Sequence, residues 1–326
     1  LGSFFYSKDF DITSTVQERF DIATDESMNS YKLTADSPYF KRFMWNHFMI
    51  SDLFNLRGSL AQHEKNSFDT SGFLTPIARG FAQTLNTSIE GDQEALLTLI
   101  SKQLCLKNGP LFGDWGCDED GEVSNFVESE VIVYSERFCC AYVLVRGNVP
   151  IFWELELLVL SGSNRSFLSG KKHKKILYPR SFEASQYAME KHFETLQSQY
   201  GEVHVINSLK QDEATYKGDL NRIFKQHISN YNSSSSSDTN VDTSVGSSHL
   251  RFTDIPLSKS TIRKIGYNST NPMEIVNTIQ HAILDLGAFY FDYDKGLLTG
   301  KQLGVFRIDS FDSLGKANFI SKVIAQ

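Results

Sequence analysis

The sequence predicts an α/β fold in which a mixed β-sheet is layered with helices. Three features favour this class: apolar segments of strand length, helical segments with one apolar face, and the alternation of the two along the chain. The chain has 326 residues, enough to bury a large core, and its 25 phenylalanines and 13 tyrosines supply bulky side chains for that core.

The predicted strands lie between residues 125 and 160 and again near the end of the chain. Val127, Val131 and Val133 mark one face of the first strand. Residues 138–145 form a continuous apolar run, which is typical of a strand buried on both faces. Further strands are predicted at residues 203–209, 288–293 and 302–308, the last two joined by a loop that contains Gly296.

Two helices have clear sequence signals. Residues 182–200 place apolar side chains at helical spacing, and Gly201 supplies a stop. Residues 271–286 begin with Asn271 as a cap and Pro272 in the first turn, and they end at Gly287. A last helix is predicted from Asn318 to the end.

Composition excludes several classes of protein. The net charge of −7 argues against a protein that coats nucleic acid. The longest apolar run has about eight residues, whereas a membrane-spanning helix needs about 18. Four cysteines without a CxxC pair predict neither a disulfide framework nor a structural metal site, and they indicate a reducing, cytosolic compartment.

Residues 232–248, which include five consecutive serines, are too polar to fold and predict a disordered loop.

The last strand–loop–helix unit is the candidate site. A loop between a buried strand and a helix N-terminus is where α/β proteins bind phosphate, because unpaired N–H groups and the helix dipole favour anions. Most such loops bind nothing, so the arrangement alone is weak evidence. Here the strand is predicted at residues 305–308 and the loop at residues 309–316.

The residues of this unit resemble the active-site segment of Sac-type phosphoinositide phosphatases. Residues 304–318 are similar to the pattern G-V-x-R-T-N-C-x-D-C-x-D-R-T-N, and residues 146–153 to R-G-S-V-P-x-F-W. Residues 4–13, 43–46 and 118–130 resemble F-Y-x-S…D-L-T, F-x-W-N and D-x-x-G-x-V-A-N-F-V-E-T-E. These blocks occur in family order over nearly the whole chain. Within the family, the chain is most similar to the degenerate Sac domain of fungal synaptojanin-like polyphosphoinositide phosphatases.

The resemblance implies that the catalytic machinery is missing. Active members use a cysteine thiolate as nucleophile and an arginine six positions later to hold the phosphoryl oxygens; the equivalent positions here are Ser310 and Lys316. A serine hydroxyl ionises far less readily than a thiol, and lysine lacks the planar fork of arginine. Asp309 replaces an asparagine and adds negative charge where a phosphate would sit. Other departures are Ile308, Ser313, Gly315 and, in a less secure register, Leu111; the retained family residues are Arg307, Asp312 and Asn318.

A second candidate is the basic run of Lys171, Lys172, His173, Lys174 and Lys175. Such a run is either a solvated turn or a patch for anionic lipid headgroups. Candidate phosphate- or lipid-binding residues are therefore Arg307, Lys316, Asn318, Lys171, Lys172, Lys174 and Lys175. His192 and His281 lie in amphipathic helices and predict hydrogen-bonded structural roles. The acidic residues 118–122 predict a turn before a strand.

These observations predict one Sac phosphatase-like domain over residues 1–326, a fragment without the family's N-terminal subdomain or a downstream 5-phosphatase domain. The domain is expected to be inactive, with a structural, membrane-binding or partner-binding role at the cytoplasmic face of phosphoinositide membranes. By resemblance, the parent protein removes the 5-phosphate from phosphatidylinositol 4,5-bisphosphate and meets partners in endocytosis or actin organisation. No cofactor is expected, since magnesium would serve only the 5-phosphatase domain, and no nucleic acid. Two alternatives remain open: an active monophosphatase with an unorthodox nucleophile, and a protein-interaction platform without lipid affinity.

Overall fold

The secondary-structure elements alternate as the sequence predicts for an α/β chain. The computed structural model describes residues 3–8, 11–24, 42–89, 93–159, 172–212, 214–235, 249–255, 257, 272–311 and 315–325. In chain order the strands are β1 (Ser3–Tyr6), β2 (Ile77–Ile89), β3 (Gln93–Gln103), β4 (Val127–Tyr134), β5 (Phe138–Asn148), β6 (Glu154–Val159), β7 (Lys172–Leu177), β8 (Glu202–Asn207), β9 (Arg251–Asp254), β10 (Phe289–Asp292), β11 (Leu297–Gly300) and β12 (Gly304–Ser310). The helices are α1 (Val16–Thr24), α2 (His47–Ser59), α3 (Gln62–Thr70), α4 (Phe182–Tyr200), α5 (Tyr216–Ser235), α6 (Pro272–Leu286) and α7 (Gly315–Ile324).

The chain forms two compact units that are discontinuous in sequence. The first consists of Leu1–Leu106, Val127–Leu144 and Gly287–Gln302. The second consists of Lys107–Phe126, Val145–Leu286 and Leu303–Gln326. The predicted assignment of residues 1–326 to a single domain stays a prediction.

The first unit is built on antiparallel strands in the order β1-β2-β3-β4-β5, with β10 also paired to β5 and β11 to β10. The long β2–β3 hairpin runs in register from Gly80 opposite Lys102 to Ile89 opposite Gln93. Cys139, Ala141 and Phe289 form one apolar cluster of this unit, against which Phe20 of α1 packs. Sequence patterns predicted neither this hairpin nor β11, because both have many exposed or polar positions.

The second unit contains the parallel part of the sheet, in which β12 pairs with β8 and β8 with β9. Its strand order is β5-β12-β8-β9, and β6 and β7 form a separate antiparallel ribbon. All seven residues of β12 are buried, as expected for a strand covered on both faces. The predicted helix over residues 182–200 is confirmed, and the Ser181 hydroxyl caps it by accepting from the N–H of Ala184.

Three predicted boundaries are wrong. Helix α5 continues to Ser235, so the first four residues of the predicted disordered loop at 232–248 are helical. The side-chain amide of Asn232 stabilises this end, since it donates to the carbonyl of Leu250 and accepts from its N–H. Residues 236–248 lie outside the described residues. The last helix begins at Gly315 rather than Asn318, and β12 continues through Asp309 and Ser310.

Candidate functional site

The end of strand β12 carries three of the residues to which the sequence drew attention. Arg307 and Asp309 are two positions apart, so their side chains lie on the same face of the strand. Both are fully buried, and the guanidinium Nη1 forms an ion pair with the Asp309 carboxylate. The negative charge that the sequence places beside the loop is therefore used to neutralise Arg307.

Arg307 donates two further hydrogen bonds inside the second unit. Its Nε lies 3.1 Å from Nε2 of His192 on α4, and its Nη2 lies 2.6 Å from the carbonyl oxygen of Asn148 on β5. His192 Nδ1 faces the carbonyl of Gly121 at 2.8 Å, so the proton is on Nδ1 and Nε2 is free to accept. Burial lowers the pKa of Arg307 to about 9, so the guanidinium stays charged at pH 7.

Ser310, which the sequence predicts at the nucleophile position, is 2% exposed. Its hydroxyl donates to the carbonyl of Gly147 at 3.1 Å, and no basic side chain among the described residues accepts its proton. The side-chain amide of Asn148 donates to the carbonyls of Ser310 and Phe311, at 3.3 and 2.5 Å. The R-G-N-V-P segment thus holds the end of β12 through Gly147 and Asn148, and the Ser310 hydroxyl is used in that contact.

Phe311 continues the strand end into an aromatic cluster. Its ring stacks on Trp153 with the ring centroids 5.0 Å apart, and Trp115 and Tyr216 lie 5.8 and 5.7 Å away. The ammonium of Lys217 lies 3.9 Å from the centroid of Phe311, within the range of a cation–π interaction. These contacts give Trp153, the last residue of the 146–153 motif, a packing role, and no sequence signal indicated the role of Phe311.

Of the remaining candidate residues, two lie in a helix and two lie outside the described residues. Lys316 lies in the first turn of α7, and its Nζ donates to the carbonyl of Ser208, at the end of β8, over 3.3 Å. Asn318 is exposed on the same helix. Asp312 and Ser313 lie outside the described residues. Phosphate-binding roles for Arg307, Lys316 and Asn318 stay predictions.

The cysteine thiols are the alternative candidates for a nucleophile. All four cysteines carry a reduced thiol. Cys117 belongs to the same unit as Ser310 and is buried, and burial raises the pKa of its thiol to about 12. Burial likewise raises the pKa of Cys139 to about 11 and that of Cys140 above its ordinary value. A thiol with a raised pKa is a weak nucleophile at neutral pH.

The basic run lies in a strand rather than in a turn. Residues 172–177 form β7, which pairs with β6 so that Lys174 lies opposite Leu157 and Lys175 opposite Glu156. Lys174 and Lys175 are both exposed. Lys171 lies outside the described residues. The prediction of a solvated turn is therefore wrong for the described part of the run, whereas the lipid-binding role stays a prediction.

The other polar candidates have structural explanations. The hydrogen-bonded role predicted for His192 is confirmed, but His281 is exposed on α6. The predicted acidic turn is confirmed: the Asp118 carboxylate accepts from the N–H groups of Asp120 and Glu122. In the described part of the chain, no group of three or more His, Cys, Asp or Glu side chains is arranged so that it could hold a metal ion. No helix among these residues has the length and apolarity needed to cross a membrane.

Comparison with known proteins extends the similarity over the chain. The family model described as SacI homology domain matches residues 1–261. The chain is 35% identical over 328 residues to inositol-1,4,5-trisphosphate 5-phosphatase 1 of Schizosaccharomyces pombe, covering 100% of this chain and 26% of that protein. Two proteins of Saccharomyces cerevisiae are each 30% identical. A polyphosphatidylinositol phosphatase aligns over 324 residues, 99% of this chain and 26% of the relative. A phosphatidylinositol 4,5-bisphosphate 5-phosphatase aligns over 325 residues, 100% of this chain and 30% of the relative. The chain thus spans less than a third of the length of these relatives.

Proposed function

Since this chain belongs to the SacI homology domain family, we propose that it is a Sac module that no longer hydrolyses phosphoinositides itself. The observation that carries the proposal is the state of the nucleophile position. Ser310 is a buried hydroxyl bonded to the Gly147 carbonyl, and among the described residues no base is placed to deprotonate it. Losing the nucleophile of a covalent mechanism removes several orders of magnitude of rate.

Two neighbouring features support the same conclusion. The Arg307 guanidinium is already neutralised by Asp309, which leaves less positive charge to attract a phosphate. Lys316 supplies a single ammonium group where an arginine would contact two phosphoryl oxygens at once. The chemistry left at the end of β12 is hydrogen bonding and packing.

The role proposed for the module is to bind membranes or partners within a longer phosphoinositide 5-phosphatase. The names of the fungal relatives support the parent activity, since two are described as 5-phosphatases. On this proposal the parent acts on phosphatidylinositol 4,5-bisphosphate at the cytoplasmic face of membranes, in endocytosis or actin organisation. Magnesium would be required only by the 5-phosphatase domain.

Phosphate release tests the loss of catalysis. The purified chain is incubated with short-chain phosphatidylinositol 4-phosphate, with the Ser310→Ala variant as the matched control. We expect equal release from both proteins, at the level of the blank. Turnover by the original chain that disappears in Ser310→Ala would reject the proposal in favour of an active hydrolase with a serine nucleophile.

A membrane role is favoured by the exposed lysines of β7. Each lysine near an anionic surface contributes about 1 kcal/mol to binding. Lys174 and Lys175 are consecutive in the strand, so their side chains lie on opposite faces and one of them faces a bound membrane. Co-sedimentation with vesicles that contain phosphatidylinositol 4,5-bisphosphate should therefore weaken about fivefold in Lys174→Gln/Lys175→Gln. Lys210→Gln/Lys301→Gln, which removes the same charge from other exposed positions, is the control. Absence of vesicle binding by the original chain would instead favour a protein-interaction platform.

A further inference from the structure

Four charged side chains come together inside the first unit. They are Lys102 on β3, Glu128 and Glu130 on β4, and Glu18 on α1, and we call them the buried charge cluster. Lys102, Glu128 and Glu130 are at most 1% exposed, whereas Glu18 is partly buried. The ammonium of Lys102 lies 2.5 Å from Oε1 of Glu128, the residue directly opposite it in the β3–β4 pairing.

The charges in this cluster do not balance. Lys102 and the nearby Arg19 face three carboxyl groups, so complete ionisation would leave more negative than positive charge among these groups. Such charges are costly to bury, and a carboxyl group in this position binds a proton more tightly than it does in water. The interior therefore favours a state in which the cluster holds a proton.

Two hydrogen bonds connect the strand residues of the cluster to the start of α1, and a third lies within the first turn of the helix itself. Lys102 Nζ donates to the carbonyl of Thr13 at 2.7 Å, and Glu130 Oε1 accepts from the N–H of Val16 at 2.7 Å. Glu18 Oε2 accepts from the N–H of Thr15, also at 2.7 Å. The start of this helix therefore rests directly on the groups whose charge depends on protonation.

Glu18 is the member that changes charge near neutral pH. Burial of its carboxyl group and the nearby Glu128 raise its pKa, while Lys102 and the bonds to Thr15 lower it. The net result is a pKa of about 7. Burial raises the pKa of Glu130 to about 6, with Lys102 and the N–H of Val16 acting in the opposite direction.

Among the described residues, two further groups act on the charges of the cluster. Arg19 on α1 lowers the pKa of Glu130, and Cys139 on β5 interacts with both of these residues. Burial lowers the pKa of Lys102, but its three glutamate neighbours raise it above the ordinary value overall. Lys102 therefore stays charged, and the carboxyl groups take up or release the proton.

We propose that the buried charge cluster is a proton-dependent switch: it holds the start of α1 against β3 and β4 while Glu18 is protonated, and it loosens that contact when Glu18 ionises. Ionisation adds a negative charge beside Glu128, and moving the first turn of α1 away from the strands relieves the repulsion. Docking of α1 is then strongest at slightly acid pH and weakens through the neutral range.

Hydrogen exchange of the amides in α1 tests this proposal. With a pKa of about 7 when docked and 4.5 when released, the opening equilibrium of α1 rises by up to about tenfold between pH 6 and pH 8. The rates are first corrected for the intrinsic pH dependence of exchange. Glu18→Gln keeps an oxygen that can accept from Thr15 but has no ionisable group at that position, so its opening equilibrium should rise by no more than about twofold, through Glu130.

The matched control is Glu94→Gln, which alters an exposed glutamate of β3 and should keep the dependence of the original chain. A rise of less than twofold in the original chain, or an equal rise in Glu18→Gln, would overturn the proposal. Should Glu18→Gln fail to fold, carbon-13 NMR of the Glu18 carboxyl in the original chain decides the question. A titration midpoint near 7 supports the switch, and a midpoint near 4.5 overturns it.

Discussion

Replacing Asp309 with asparagine would leave Arg307 without its counter-charge in the interior. Both residues are 0% exposed, so water cannot compensate for the lost carboxylate. Asparagine has nearly the same shape as aspartate, so the change removes the charge without creating a cavity. Removing one partner of a buried ion pair costs about 3 to 5 kcal/mol, and we expect Asp309→Asn to lower the free energy of unfolding by that amount.

Urea denaturation at pH 7, followed by tryptophan fluorescence, measures this loss. Trp153 is a suitable reporter because it stacks on Phe311, which follows the end of β12. The matched control is Asp219→Asn, which breaks the half-exposed ion pair with Arg222 at 2.7 Å. An exposed pair of this kind contributes at most about 1 kcal/mol.

A loss in Asp309→Asn no larger than that in Asp219→Asn would refute the reasoning, because it would mean that the Arg307 charge does not depend on Asp309. The double variant Arg307→Met/Asp309→Asn adds a second test. It removes both charges, so it should be more stable than Asp309→Asn alone by about 1 kcal/mol or more.

Three further predictions follow from other contacts of the second unit. Gly121→Ala should cost roughly 2 to 4 kcal/mol in urea denaturation, since Gly121 has φ +78° and a Cβ there would lie 2.7 Å from the backbone nitrogen of His192. Gly296→Ala, at φ +64° with nothing within 4 Å, is its control and should cost only about 1 kcal/mol; equal losses would exclude the clash as the cause. Asn148→Ala should cost about 1 to 3 kcal/mol, because two carbonyl groups at the end of β12 lose their donor; a thermal melt unchanged by the substitution would contradict this. Acidification from pH 7 to pH 5 should cost up to about 2 kcal/mol through His227, whose pKa burial lowers to about 4, because the unfolded chain then binds the proton that the folded chain excludes; a pH dependence unaltered in His227→Gln would show that another group is responsible.

Much of the second unit could be predicted from the sequence, because its elements have strong local patterns. The helix at residues 182–200 has one apolar face and a glycine after it, and the structure has the helix over the same residues. The first unit was less predictable. Most side chains of β2 are exposed and β3 mixes exposed, half-buried and buried side chains, so the stability of both strands comes from pairing with each other and with β4 rather than from an alternating pattern.

The end of β12 and the start of α7 were misplaced for a related reason. Asp309 and Ser310 are polar, and polar residues after an apolar run predict a loop. In the structure Arg307 neutralises Asp309 and Gly147 accepts from Ser310, so both can remain in a buried strand. The partners that make this possible lie far away in the sequence, and no local pattern identifies them.

The sequence by itself determined the family, the α/β class and the serine at residue 310, because these depend only on which residues occur and in what order. Only the tertiary structure decided which residues contact each other: Asp309 with Arg307, Ser310 with Gly147, and Lys102 of β3 with Glu128 of β4. The physical reason is that the charge and reactivity of a buried group are set by its neighbours in space, and folding brings those neighbours from distant parts of the chain.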